Sequence, residues 1–313
     1  MADIGSFGLD VGIYGPLAMP GTILGLAQHA EAVGFESIWV ADHVAFPVTF
    51  TSEYPYSAKG DFPTRFADPL MEPIATMGVL VGATKRVKIG AAVLILPYRN
   101  PLLLARMMVT LDQFSGGRMI FSAGTGWLEE EFAALGAYDF KKRGRVTDEY
   151  IEIFKAISAG GDVGYQGETY SFAPVVSNPG AVQRPHPPIL IGGLSSPALR
   201  RVARHGTGWH AVTASPKQLV ECLGTLKRLV AENGRRFEDI SLSYKMFLGI
   251  DQPKQSRFDT REPGTGSVAE IIDDLKRIFD LGFTRVIVRY RGQGADQQTR
   301  QLKRFVDEIV PKT

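Results

Sequence analysis

An α/β barrel of eight strands, each followed by a helix, is the fold the chain predicts, on three observations. Short β-rich runs alternate with helix-spaced stretches from end to end, the alternation repeats eight times, and two long insertions interrupt it. The strands are read near 6–13 (SFGLDVGI), 36–41, 87–95, 118–123, 188–192, 207–212, 240–249 and 284–290, as short apolar runs. Helices fit between them near 20–33, 69–83, 101–114, 146–158, 196–205, 216–233, 267–281 and 295–309. That count is the signature of a (β/α)8, or TIM, barrel. A doubly wound sheet competes, but Gly12, Gly15 and Gly21 lack the spacing of a dinucleotide fingerprint after the first strand. The insertions, about 44–67 and 160–187, are too short to be domains, so residues 1–313 are read as a single barrel domain with two elaborations. Within the second, GYQGETYSF predicts a small hairpin.

A hydrophobic fraction of 44% with 22% charged residues excludes a disordered chain. Lys and Arg number 35 against 33 Asp and Glu, so no field for nucleic acid or an anionic membrane follows. No apolar stretch reaches the ~18 residues of a membrane span, and MADIGSFGLD lacks the features of a signal peptide. The expectation is a soluble, cytoplasmic protein with neither nucleic acid nor membrane as partner. Cys222 has no second cysteine to pair with and is read as a structural thiol; the histidines show no metal-ligand spacing, so no metal is expected.

In such a barrel the residues that follow each strand face the active site. After the second strand come Asp42 and His43, a carboxylate and an imidazole at the mouth, fit for acid, base or cofactor contact or, equally, for bracing a turn. After the fourth strand, Gly124-Thr125-Gly126 allows close backbone approach and Trp127 offers a flat face. Gly192-Gly193-Leu194-Ser195-Ser196-Pro197 joins a strand to serine caps and a proline at a helix start, where free amides suit a phosphate. Small residues at 90–92 would let a flat ring approach the third strand, or simply solve a packing problem. Glu129, Glu130 and Glu131 are read as helix-start acids, with one of them possible in the pocket. Arg200, Arg201 and Arg204 are read as a solvated helix face, and Lys141, Lys142, Arg143 and Arg145 as a cluster able to meet an acidic tail.

With SIWVADHV at 37–44, YPYSAKGDFP at 54–63, IGAAVLILPYRNPLLLA at 89–105, LDQFSGGRMIFSAGTGWLEEEFAALG at 111–136 and RPHPPILIGGLSSPALRRVARHGTGWH at 184–210, the chain resembles the luciferase-like monooxygenase superfamily, in its branch of coenzyme F-420 (deazaflavin)-dependent oxidoreductases. The resemblance implies a barrel that holds the deazaflavin at the strand C-termini, with hydride passing between its C5 atom and a substrate. It assigns Asp42 and His43 to ring and substrate contact, Ala92 and Val93 to a cis peptide backing the ring, and Gly192, Gly193, Leu194, Ser195 and Ser196 to the cofactor phosphate. Gly124, Thr125 and Gly126 join the cofactor-binding set. Characterised sugar-phosphate and alcohol dehydrogenases of that branch carry a glutamate directly after the glycine pair, where this chain has Trp127. Trp127, Phe46, Tyr54 and Tyr56, with Phe50 and Phe62 beside them, are therefore expected to form an aromatic substrate wall suited to an apolar or conjugated small molecule. Two other readings stand: an FMN-dependent monooxygenase on the same barrel, and a non-catalytic flavin-binding barrel. Members of the superfamily often pair through exposed helices, so a homodimer is expected.

Overall fold

The computed structural model describes residues 6–57, 60, 62, 68–256, 260–290 and 294–313; positions 58, 59, 61 and 63–67 of the first insertion fall outside the described residues. In chain order the strands are β1 (Ser6–Asp10), β2 (Ser37–Val40), β3 (Lys88–Ala91), β4 (Leu94–Ile95), β5 (Met119–Gly124), β6 (Asp162–Gln166), β7 (Ser171–Val176), β8 (Ile189–Gly192), β9 (Gly208–Val212), β10 (Ser241–Ile250), β11 (Thr265–Gly266) and β12 (Arg285–Tyr290). The helices are α1 (Pro20–Ala32), α2 (Pro73–Ala83), α3 (Pro101–Ser115), α4 (Glu129–Ala134), α5 (Arg143–Ala159), α6 (Ser196–His205), α7 (Pro216–Glu232), α8 (Val268–Asp280) and α9 (Ala295–Arg304), the last running on as a π-helical turn, Phe305–Ile309. Parallel pairing runs β10-β12-β1-β2-β3-β5-β8-β9, and β9 pairs β10 to close the ring. The fold is thus the eight-stranded (β/α)8 barrel. No helix among the described residues is long and apolar enough to cross a membrane.

Element by element the expectations hold, with boundaries moved by local chemistry. The first strand ends at Asp10 rather than near 13, because Gly12 turns the chain at φ 68°. The second helix begins at Pro73 rather than near 69, where Glu72 accepts a hydrogen bond from the Ala75 amide and proline takes the first helical position. The strand read over 87–95 is two strands, β3 and β4, separated by a cis peptide at Ala92–Val93. The fifth helix starts earlier than 146, at Arg143, and the short α4 was not foreseen. The second insertion does form a hairpin, the antiparallel pair β6 and β7.

Alternation along the strands splits the core in two. Ile38 and Val40 of β2 pack outward under the helices, while Trp39 joins Ile120, Leu190 and Ile287 in a separate cluster that fills the barrel. The glycines of β1 and β3 make room for that indole: a Cβ on Gly8 would lie 2.6 Å from Trp39 Nε1, and one on Gly90 2.9 Å from its ring. Gly90 therefore solves a packing problem and is no sign of an approaching ligand. At the opposite end from the mouth, Glu36 holds Arg285 at 2.8 Å and Lys88 at 2.7 Å, tying β12 and β3 to the start of β2.

Candidate active site

His43 follows β2 and is 6% exposed, low enough that its partners are those of the protein. Its Nδ1 lies 2.7 Å from Oε2 of Glu131, on α4. Glu131 is fully buried, and it also accepts from the amides of Val44 (2.7 Å) and Ala45 (3.0 Å) and from the Tyr98 hydroxyl (2.8 Å). Burial by itself would raise this carboxyl, but the hydrogen bonds from His43, Ala45 and Val44 outweigh it and hold the group below its ordinary value. An ionised carboxylate only accepts, so His43 Nδ1 carries the hydrogen and Nε2 is the nitrogen left to exchange a proton. Burial, then the neighbouring Glu131 charge, push Tyr98 far above its ordinary value, so the phenol stays neutral and donates.

Asp42, beside His43, is differently employed. Arg99 clasps it through Nη1 (2.8 Å) and Nη2 (2.9 Å), and the Ile95 amide donates to Oδ2 at 2.6 Å. Both carboxylate oxygens are occupied, so Asp42 fastens the end of β2 to β4 and fixes the backbone from which His43 projects. Proton transfer, for which Asp42 was also a candidate, has no free oxygen there to use.

The aromatic residues expected in the wall gather over the imidazole. Phe46 lies 4.6 Å from the His43 ring, Phe62 5.2 Å and Trp127 6.1 Å. Trp127 in turn meets Tyr54 at 5.2 Å and Phe50 at 6.1 Å, and Tyr56 meets Tyr54 at 5.5 Å. Tyr14, from the loop after β1, also joins it, 5.8 Å from His43. The loop is pinned by α4: Glu130 Oε1 accepts from Thr51 N (2.7 Å), Thr51 Oγ1 (3.1 Å) and Ser52 N (3.2 Å). Of the three consecutive glutamates, read as dipole-favouring acids, Glu130 thus holds the loop and Glu131 the imidazole. A buried histidine at a strand end needs a partner to set its tautomer, and three acids in a row beginning five residues after the end of β5 were the signal for one; Tyr98 and Arg99 carried no comparable signal.

The glycine positions divide as sharply. A Cβ on Gly124 would fall on Val93 Cγ2, one on Gly192 would lie 2.8 Å from Val93 Cγ1, and one on Gly126 2.7 Å from Phe132. Those glycines accommodate Val93 and Phe132, so their identity says nothing about a ligand. Ala92 packs on the barrel-filling cluster, and Thr125 is half-buried beside the mouth. Gly193 differs, with φ 118° that only glycine adopts readily, but its amide is spent on the His210 carbonyl at 3.2 Å. The free donors are the next three: among the described residues the amides of Leu194, Ser195 and Ser196 make no hydrogen bond, and they open α6, with Ser195 capping Ala198. Such a start fits a phosphate.

Beyond that start lies a groove of about 400 Å³ lined by Gly144, Arg145, Asp148, Pro197, Arg200, Arg201 and Arg204. Arg201 is not on the solvated face expected of it but is buried, 2.5 Å from Asp148. Arg145 pairs with Glu168, and Arg143 packs 3.7 Å over the Phe140 ring instead of facing outward with Lys141 and Lys142. Arg200 and Arg204 are exposed and, among the described residues, form no ion pair.

A family profile described as luciferase-like monooxygenase matches residues 8–305. An uncharacterised protein of Mycobacterium tuberculosis is 30% identical over 297 residues, 92% of this chain and 94% of its own length. An FMNH(2)-dependent dimethylsulfone monooxygenase of Pseudomonas putida is 30% identical over 250 residues, covering 79% of this chain and 61% of that enzyme. Among solved structures, an F-420-dependent secondary alcohol dehydrogenase bound to an F-420-acetone adduct superposes with a TM-score of 0.77 at 16% identity, over 99% of this chain and 98% of that one. The neighbours therefore include both deazaflavin and FMN enzymes on one barrel, and this chain belongs to the luciferase-like monooxygenase family of oxidoreductases.

Proposed function

We propose that the protein is a coenzyme F-420-dependent oxidoreductase acting on a small, largely apolar or conjugated organic substrate. The observation that carries the cofactor choice is the arginine-lined groove running on from the phosphate-suited start of α6. FMN ends at its phosphate, and the deazaflavin continues into an acidic oligoglutamate chain, for which Arg200 and Arg204, exposed and without an ion pair among the described residues, supply cations. Leu194, Ser195 and Ser196 would hold the phosphate through their amides, and the Ala92–Val93 segment would back the ring. When bound, a deazaflavin supplies two-electron hydride chemistry at its C5 atom. This chain's residues do the rest: His43 Nε2 gives or takes the substrate proton, Glu131 keeps that nitrogen in the required state, and the loop rings with Trp127 exclude water.

An FMN-dependent monooxygenase is the second reading, favoured by the similarity to the Pseudomonas putida enzyme. Fluorescence titration with F-420, with its form lacking the glutamate chain, and with FMN separates the two. Tightest binding of the long-tailed deazaflavin, weakened by salt, is expected; tighter binding of FMN would overturn the cofactor assignment.

A further inference from the structure

Three neighbouring strands bring ionised side chains together inside the mouth. Asp10 ends β1, Lys245 lies in β10, and Arg289 is the penultimate residue of β12, which pairs with both. Ile287 points into the barrel, so Arg289 two residues on does likewise, and Lys245, aligned with Ile287, shares that face. Lys245 closes on Asp10 at 2.5 Å and Gly12 donates its amide to the same carboxylate at 2.9 Å. Arg289 stands off at 3.5 Å, its guanidinium carbon 4.3 Å above the Tyr14 ring. Two cations thus share one buried carboxylate, and among the described residues no second carboxylate lies within ion-pair distance of either.

His210 of β9 also lies against them and adds no negative charge, while Tyr14 and Tyr54 face Arg289 from the loops. Burial, then Lys245 and Arg285, depress the histidine to about 3, so it is neutral at physiological pH. Its Nδ1 is bonded to Ser243 at 2.9 Å, and its Nε2 is buried without a partner. Burial works against the Arg289 charge, but Tyr14 and Asp10 more than restore it, so the guanidinium stays ionised. Among the described residues the cluster therefore carries one more positive charge than it has carboxylates, in a place where charge needs a partner. Of the two cations, Lys245 is the one closed on Asp10, whereas Arg289 has the longer contact, keeps 12% of its side chain exposed, and stacks on the ring that faces His43.

We propose that Arg289 is the receptor for an anionic oxygen of the reacting pair, placed so that an apolar body extends along the aromatic wall toward His43. The oxygen comes either from the substrate, as a carboxylate or enolate, or from the charged edge of the cofactor ring. The inference rests on the mouth being the reacting site proposed above, and deepens it by requiring an anion beside the apolar wall.

The test uses acid and amide pairs of the same skeleton, cinnamate with cinnamamide, sorbate with sorbamide and benzoate with benzamide. Binding is followed calorimetrically to the full-length protein, with and without F-420, in the wild type, Arg289→Met and Arg289→Lys. A substrate oxygen predicts that at least one acid binds roughly tenfold or more tightly than its amide in the cofactor-loaded protein. Arg289→Met should erase that preference and Arg289→Lys retain part of it. A cofactor oxygen predicts no acid preference in loaded protein, but a roughly tenfold or greater loss of cofactor affinity in Arg289→Met that Arg289→Lys partly restores. Equal affinities for acids and amides in the wild type, with cofactor affinity unchanged by either variant, would overturn the proposal. Should Arg289→Met fail to fold, the wild-type pairs and Arg289→Lys decide the same question. If no deazaflavin binds at all, the cofactor reading fails, and the acid preference of the cofactor-free protein still judges the arginine.

Discussion

His43 and Glu131 are the residues on which activity is expected to turn. In Glu131→Gln the amide can still accept from Val44 and Ala45 only by turning its NH2 toward His43 Nδ1, which reverses the tautomer. Turnover should fall by about 10²-fold or more, with cofactor affinity little changed and the pH profile of kcat altered; steady-state kinetics across pH checks this. His43→Ala should lower turnover as far or further, and an unchanged kcat would remove the imidazole from the chemistry. Gly193→Val should weaken cofactor binding through its φ of 118°, whereas Gly124→Ala should cost about 1–3 kcal/mol of stability by pushing on Val93. Paired titration and urea unfolding separate the two effects. His43 was legible in the sequence because it follows a strand; that one of the three glutamates could reach the pocket was legible too, but not that it is Glu131 bonded to His43, since that partner lies 88 residues away and acids at a helix start have an ordinary meaning of their own.

At the scale of elements, α4 governs the loop before it in sequence. Glu130 gathers three hydrogen bonds from Thr51 and Ser52; burial is the largest single influence and raises its carboxyl, but the hydrogen bonds together outweigh it and bring the group down to about 2. Glu130→Ala should therefore leave the barrel folded and expose residues 44–57 to protease, as limited proteolysis with mass spectrometry would show. Equal cleavage in both proteins would mean that the loop is held by its aromatic contacts alone. The alternation that predicted the elements worked because each barrel strand is buried on both faces. It failed across 87–95, where continuous apolarity hid a break at Ala92–Val93, and at α4, whose six residues are too few to show a helical period.

For the whole molecule, closure of the ring depends partly on the clamp at the far end from the mouth. Burial raises the Glu36 carboxyl, but Arg285 and Lys88 outweigh it and bring the group down to about 2. A depressed carboxylate contributes stability that is present above its unfolded value, near 4.5, and is lost as pH falls through about 2. Glu36→Gln should accordingly cost about 1.5–3 kcal/mol at pH 7, and the difference from wild type should shrink steadily between pH 5 and pH 2. Urea unfolding at a series of pH values measures it; a difference independent of pH would assign the loss to packing. The barrel itself was readable from eightfold alternation, but which strands were clamped to which was not, since Glu36 and Arg285 sit at opposite ends of the chain.

The adjacency of Glu130 and Glu131 on one short helix has a bearing on timing. The first holds the aromatic loop shut and the second sets the hydrogen on the imidazole, and both sit on a six-residue support. A movement of that support large enough to release the loop would also loosen the imidazole, which would couple opening to proton readiness as the two ends of a single lever. On the proposed function, such an interlock would leave the enzyme chemically idle whenever the loop is released.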